Sequence, residues 1–348
     1  MSEETLDLLK TLSATPGPVG REKLVQDIVK EHLKDHCGSY TQDKLGNVVG
    51  TLEGGIKKHY AIAAHADEVG FLVSNMDENG FLRVKWNTQG YMPDLRLLPG
   101  QWVLIMTEKG LVPGVFCVKT AHIAGPEGKG RIPTYEEVFL DIGAKNPEDI
   151  KELGINIGDP VIYAAPVEKL LNHHVAGKSM DDRIGLVTML RVLAQLAKTP
   201  KTKRPTITFV STVMEEIGAK GAAAVARNLD LDAVIVLDIG LADDYPGTKG
   251  ESGISLGNGP VIVIKDNALH YSHELNQSII ETAEKEKIPI QRAVFHSYMT
   301  DGVQFATQGQ MVAVLAIPCR YTHSSFETVN LLDVDMTIHL LMKWLTSS

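Results

Sequence analysis

The chain has 348 residues, 44% of them hydrophobic and 22% charged, with a formal net charge of −9 at pH 7. That length accommodates a large core and more than one domain, and an acidic balance with both signs interspersed excludes the basic stripe that a nucleic-acid backbone requires. Three cysteines, Cys37, Cys117 and Cys319, are odd in number and far apart, which fits a reducing compartment better than a disulfide framework. The acidic opening Met1-Ser2-Glu3-Glu4 lacks signal-peptide character. No apolar run approaches a membrane span, so a soluble, cytoplasmic protein is expected.

The spacing predicts a helix over Glu3–Ala14 with Leu8, Leu9 and Leu12 inward. The stretch Thr15-Pro16-Gly17-Pro18-Val19-Gly20 breaks it. A second helix is predicted over Arg21–His36, where Val25, Val29 and Leu33 recur at i, i+4. Lys44–Leu52 reads as a strand or hairpin whose expected partner is the apolar run Tyr60–Ala64. From Val69 the texture changes to short alternating strands and Gly/Pro turns, with a hairpin signal at Glu78-Asn79-Gly80. Residues 69–164 are therefore expected to form an inserted small β domain, and residues 1–68 with 165–348 the α/β domain around it. Because the insertion directly follows His65-Ala66-Asp67, it is expected to lean over them. Further helices are predicted over Ile184–Lys198, Ser272–Lys287 and Asn330–Leu345, and a strand over Ile288–Phe295.

The chain is organised around Thr212–Gly218. Glu215 and Glu216 stand side by side where the β-forming run Thr206–Ser211 ends, just before the small-residue segment Ala219–Ala224, which reads as a helix. In extended backbone adjacent side chains face opposite ways, so the pair reads as two functions: Glu216 a metal ligand, Glu215 a general base. Other apolar runs end similarly. Tyr60–Ala64 delivers His65-Ala66-Asp67-Glu68, Ala233–Leu237 delivers Asp238, and Met311–Pro318 leads on to His323. Such runs suit strands covered on both faces, and open α/β sheets gather ligands outside the carboxyl ends of their strands. Singly, each residue has a simpler reading. His65 or His323 would be a packed or surface histidine, Asp181 a helix N-cap, Asp238 a turn residue and the glutamates a solvated strand end. Convergence at one sheet edge argues against that. The other histidines read as structural or surface, with His122 a candidate for a pocket rim.

His65–Gly70, Gly177–Arg183, Glu215–Gly218, Asp238 and Arg320–Glu327 together resemble, in order and across nearly the whole chain, the motifs of the M42 family of metallo-aminopeptidases, the tetrahedral (TET) aminopeptidases. The resemblance implies a zinc-exopeptidase-like mixed sheet flanked by helices, with an inserted small β-barrel-like domain. It also implies two divalent metal ions per subunit, zinc foremost and cobalt as the alternative, a choice that imidazole and carboxylate without thiolate suits. His65 and Asp238 would hold one ion, Glu216 and His323 the other, and Asp181 both. Asp67 is expected to accept the second N–H of His65 and to act with Glu215 as a catalytic residue. A cis peptide bond is implied between Asp181 and Asp182. Short peptides are the implied substrates, and the implied assembly is a tetrahedral homo-dodecamer built from dimers joined through the β insertion. Neither nucleic acid nor membrane is an expected partner. Two stretches, Lys119–Ile123 and Tyr298–Gly302, depart from the family pattern.

Three other readings compete. A glycoside hydrolase pairing Glu215 with another carboxylate would keep its activity after chelation. A metal-dependent carboxypeptidase or deacylase would not require a free amino terminus. A binding or shell protein would carry no metal. The first leaves His65 and His323 without work, and the last leaves the whole ligand set without a purpose.

Overall fold

The computed structural model describes residues 3–89, 93–128 and 130–347; Met1 and Ser2 of the acidic opening lie outside them. The chain begins with α1 (Glu3–Ala14), α2 (Lys23–Cys37), β1 (Thr41–Gln42), β2 (Val48–Leu52) and β3 (Ile56–His65). Next come β4 (Phe71–Met76), β5 (Leu82–Trp86), β6 (Trp102–Thr107), β7 (Gly110–Cys117), α3 (Ala121–Gly128), β8 (Phe139–Asp141), α4 (Pro147–Glu152) and β9 (Pro160–Tyr163). Then follow β10 (Glu168–Lys169), β11 (His174–Gly177), α5 (Met180–Lys198), β12 (Pro205–Thr212), α6 (Lys220–Ala226) and β13 (Ala233–Leu241). The chain closes with β14 (Val261–Lys265), α7 (His273–Glu286), β15 (Gln291–Val294), α8 (Gly302–Thr307), β16 (Val312–Arg320), β17 (Glu327–Asn330) and α9 (Leu331–Thr346).

One sheet runs β1-β2-β12-β3-β13-β16-β17-β11-β10, with β14 joined to β16 and β15 to β14. Its centre, β12-β3-β13-β16, is parallel. These four strands are the continuous apolar runs of the sequence, and both their faces are covered. Leu9, Leu33, Leu190 and Leu341 of α1, α2, α5 and α9 pack on one side, and Ala222 and Phe305 of α6 and α8 on the other. A strand with no solvent face keeps no polar alternation. Among the described residues no helix is long and apolar enough to cross a membrane.

The expected pairing of β2 with the strand ending at His65 does not form. β12 lies between them, antiparallel to β2 and parallel to β3, with Phe209 opposite Gly50 on one side and Ile62 on the other. β12 is buried almost throughout, whereas β2 alternates buried with half-buried residues. The first belongs in the interior of the sheet and the second near its edge. Gly54, in the link from β2 to β3, makes this route available: a Cβ there would sit 2.0 Å from the Pro205 carbonyl carbon.

Between β3 and β10 the chain leaves the sheet to build a closed barrel, β4-β5-β8-β7-β6-β9, filled by Phe71, Leu82, Val103, Ile105, Phe116 and Leu140. Closure removes the free edges that short strands otherwise expose. The architecture is therefore the expected mixed α/β fold with a barrel-like insertion. The α5 helix begins at Met180, ahead of the expected Ile184, and is buried on nearly every side. Asp181 and Asp182, at its start, take non-helical backbone angles, and the peptide bond between them is cis.

Candidate metal centre

Strand register brings the candidate ligands level. Thr212 of β12 pairs with His65 of β3, and Val236 of β13 pairs with Ala63. Asp238, two residues on, therefore stands beside His65 on the same face. It lies inside β13, which continues to Leu241, and not at the strand end that the sequence suggested. β16 runs on to Arg320, and the turn after it doubles back through Tyr321 and His323, at φ +62° and +61°. Left-handed backbone costs a residue with a side chain about 1–2 kcal/mol. Buried Glu327 holds the turn in place: its Oε1 accepts from His323 N at 2.6 Å and its Oε2 from Asp181 N at 3.1 Å.

The side chains converge on Asp181. His65 Nε2 lies 3.0 Å from Asp181 Oδ1. His323 Nε2 lies 3.4 Å from Asp181 Oδ2 and 3.4 Å from Glu216 Oε2. One donor atom each from His65, Asp181 and Glu216 fall within 4.8 Å of one another. Asp181 thus offers a separate oxygen to each imidazole, the disposition of a carboxylate able to span two cations. Asp238 stands outside that tight trio but lines the same cavity, as does Glu215.

The electrostatics of the cluster favour cations. Burial, with Asp301, Asp238 and Glu216 nearby, pushes the Glu215 carboxyl well above the usual range, against the opposing pull of His65. Burial and the charge of Asp181 raise Glu216 to about 7 despite His323. Burial, Asp181 and Asp182 likewise raise Asp238. Burial disfavours charge on the two imidazoles, but the carboxylates prevail: Glu216 and Asp181 raise His323 to about 10, and Asp181 and Asp67 raise His65. Acids this crowded in a water-poor site hold their charge only against positive charge. Glu215 Oε1 and Glu216 Oε1 are buried without a hydrogen-bond partner among the described residues, oxygens left available to a cation or a water. The donors, imidazole and carboxylate, fit zinc or cobalt.

Glu215 and Glu216 lie beyond the strand that precedes them. β12 stops at Thr212 and Met214 turns the chain at φ +56°, so strand alternation does not govern the pair. Side chains from elsewhere hold the turn instead. Val213 N donates to Asn47 Oδ1 at 3.0 Å and Met214 N to Glu22 Oε1 at 3.2 Å. Glu215 N and Glu216 N donate to the two oxygens of Asp67 at 2.9 and 3.0 Å. From the barrel side, Gln89 N donates to Glu216 O at 2.8 Å. The Asp67 carboxylate therefore mainly serves this turn. It lies 3.5 Å from His65 Nδ1, whose nearer neighbour is the Asp67 main-chain oxygen at 3.2 Å. Asp182 accepts from His65 N at 3.3 Å and from Gly185 N at 2.9 Å.

Below the site, Glu68 binds Lys178 Nζ at 2.6 Å and Arg183 Nη2 at 3.4 Å, all three side chains being buried. The cavity measures about 950 Å³, and Val69, Phe71, Gln89 and Tyr163 bring the insertion into its wall. Tyr298 and Met299 line it too, and the Tyr298 hydroxyl donates to Ile239 O at 2.7 Å. His296, read as structural or surface from sequence, also lines it, whereas exposed His122 does not. The sequence reading gave no role to Glu22, Asn47 or Glu327. Each acts on a backbone amide that only the fold brings close, Met214 N, Val213 N and Asp181 N respectively.

Comparison with known proteins adds independent findings. The M42 glutamyl aminopeptidase family model matches residues 46–340. A lysyl aminopeptidase of Pyrococcus furiosus is 34% identical over 343 residues, covering 96% of this chain and 94% of the relative. A TET aminopeptidase structure from a Thaumarchaeota archaeon superposes with a TM-score of 0.93 at 30% identity, covering 99% of this chain and 96% of that one. The TET1 peptidase of Pyrococcus horikoshii, which can assemble into a tetrahedron or a large octahedral shell, gives 0.88 at 28% identity, covering 99% and 100%.

Proposed function

The chain belongs to the M42 glutamyl aminopeptidase family, and from that premise we propose a dinuclear metal-dependent aminopeptidase that frees the N-terminal residue of short peptides with Glu215 as general base. The observation that carries this reading is Asp181, which turns one oxygen to His65 and the other to His323 beside the unpartnered oxygen of Glu216. His65 and Asp238 would hold one cation, Glu216 and His323 the second, with Asp181 shared. Bound there, zinc or cobalt ions supply Lewis-acid polarisation of the scissile carbonyl and a lowered pKa for water.

The chain's own residues do the remainder. Glu215 takes a proton from the attacking water as its oxygen bonds to the carbonyl carbon. The same carboxyl returns that proton to the leaving nitrogen as the C–N bond breaks. Asp67, bound to the amides of both glutamates, fixes where the base stands and adjoins the His65 ring. The insertion walls in the reacting bond through Phe71 and Tyr163. A glycoside hydrolase reading gives His65 and His323 nothing to do.

We place the enzyme in the cytoplasm, a setting consistent with its three unpaired cysteines. The assembly proposed is a tetrahedral dodecamer built from dimers in which the insertion, residues 69–164, mediates the dimer. Exposed Trp102, Leu111 and Ile157 on the insertion support that role.

The test is turnover of a panel of aminoacyl-anilides by chelated protein refilled with zinc or cobalt. Activity is expected to vanish on chelation, return with metal, and fail on N-acetylated substrates. Activity that survives complete chelation contradicts the proposal.

A further inference from the structure

Glu22 occupies the N-cap position of α2, yet its side chain caps nothing there. It is 4% exposed; among the described residues no close ion pair forms on it, and the nearest attraction of opposite charge comes from buried Arg183. Burial, with the charge of Asp67 nearby, raises it to about 7. A buried acid in this condition needs hydrogen-bond donors; its own amide is one, and two others reach Oε1. Gly20 N donates at 2.7 Å from the same turn, and Met214 N at 3.2 Å from 192 positions along the chain. Met214 precedes Glu215 directly and holds φ at +56°, a conformation that a side-chain-bearing residue keeps only when its surroundings enforce it.

We propose that Glu22 is a positioning residue for the general base, acting through the Met214 amide to hold the turn that aims Glu215 into the cavity. The proposal rests on the assignment of Glu215 above. Without the Glu22 acceptor, Met214 relaxes towards negative φ; with the Glu215 amide still tied to Asp67, the change is taken up in the direction of the Glu215 side chain, which turns away from the water it deprotonates. Asp67 still holds the amides of Glu215 and Glu216, so the ligand set is kept. Glu22 does not line the cavity, so substrate binding is not touched.

The experiment measures kcat, KM and metal content of refilled wild-type, Glu22→Ala, Glu22→Asp and Glu22→Gln enzyme on one well-cut aminoacyl-anilide. Glu22→Ala is expected to lose roughly 10- to 100-fold in kcat, the cost of a misplacement of about 1 Å, with KM within about twofold. Metal content is expected to stay at the wild-type value. Glu22→Gln keeps an oxygen acceptor and is expected within about threefold of wild type, as a neutral hydrogen bond replaces a charge-assisted one. Glu22→Asp keeps the charge but withdraws the oxygen by one methylene. It is expected to lose kcat as the alanine variant does, and it carries the test should that variant fail to fold.

Wild-type kcat in Glu22→Ala or Glu22→Asp overturns the proposal. So does a glutamine variant as impaired as the alanine one, or a loss of metal in parallel with kcat. Two controls separate this from the function itself: wild type must cut the substrate and Glu215→Gln must lose at least about 10²-fold in kcat. If either control fails, the assigned function or base is wrong. If both hold while Glu22→Ala turns over normally, only the positioning role is lost.

Discussion

Asp181 is where the two imidazoles meet, and Glu215 stands beside the cluster with a buried, unpartnered oxygen. That difference in placement separates the effects of mutating the two adjacent glutamates. Glu215→Gln is expected to retain its metals while kcat falls about 10²- to 10⁴-fold, the usual contribution of a positioned base. Glu216→Ala is expected to lose metal. Turnover and elemental analysis of the same preparations check both, and a fully active Glu215→Gln enzyme contradicts the assignment. At this scale the sequence was informative about chemistry-bearing residues at the ends of apolar runs. Where strands are covered on both faces, side chains such as His65, Glu216 and Asp238 are costly to bury unless they bind something. It was silent about Glu22, Asn47 and Glu327. Each has a backbone-amide partner at a distant position, Met214, Val213 and Asp181 respectively, and an amide carries no residue-type signature.

Between elements, buried carboxylates act as ties. Glu68, just past β3, binds Lys178, between β11 and α5, and Arg183 at the start of α5, and Arg183 Nε reaches Leu12 O in α1 at 3.1 Å. Removing one member leaves uncompensated charge in the core, so Lys178→Met is expected to cost about 3–5 kcal/mol of stability, read as a lowered denaturation midpoint. An unchanged midpoint would show that the tie is dispensable. Asp333, in the first turn of α9, accepts from Gly257 N and Gly259 N at 2.7 and 2.8 Å. Burial, aided by Asp244, raises it from 3.8 to about 6. The folded form therefore binds this proton more tightly than the unfolded chain. The stabilisation from this group is complete below about pH 4 and lost as pH rises through about 6, on the order of 2–3 kcal/mol. Asp333→Asn is expected to remove that slope from the stability profile between those pH values; parallel profiles for the two proteins would contradict it. Helix faces such as Val25-Val29-Leu33 were legible because their spacing is local. The place of β2 was not, since inserting β12 between β2 and β3 is decided by which strand needs cover on both faces. Nor was the turn at Met214, where tertiary hydrogen bonds override the extended backbone that the preceding β-formers suggest.

In the whole molecule, a barrel interrupts a sheet and contributes to the wall of the cavity at that sheet's edge. The change of texture near Val69 made an insertion legible from sequence, because short alternating strands with Gly turns contrast with continuous apolar runs. Its closure and its contact with the Glu216 carbonyl through Gln89 required the fold. Large apolar side chains on its surface, Trp102 at 62% exposure and Ile157 at 68%, lead to the expectation that light scattering will find an assembly far heavier than one chain, a dodecamer if the dimer forms as proposed. A clean monomer would contradict that. The proposed chemistry depends most on two cations sharing Asp181, and metal stoichiometry tests this most directly. Elemental analysis of refilled enzyme should give two zinc or cobalt ions per wild-type chain and a loss at both sites in Asp181→Ala, with turnover lost alongside. An Asp181→Ala enzyme that kept two ions per chain, or a wild type fully active with none, would contradict it.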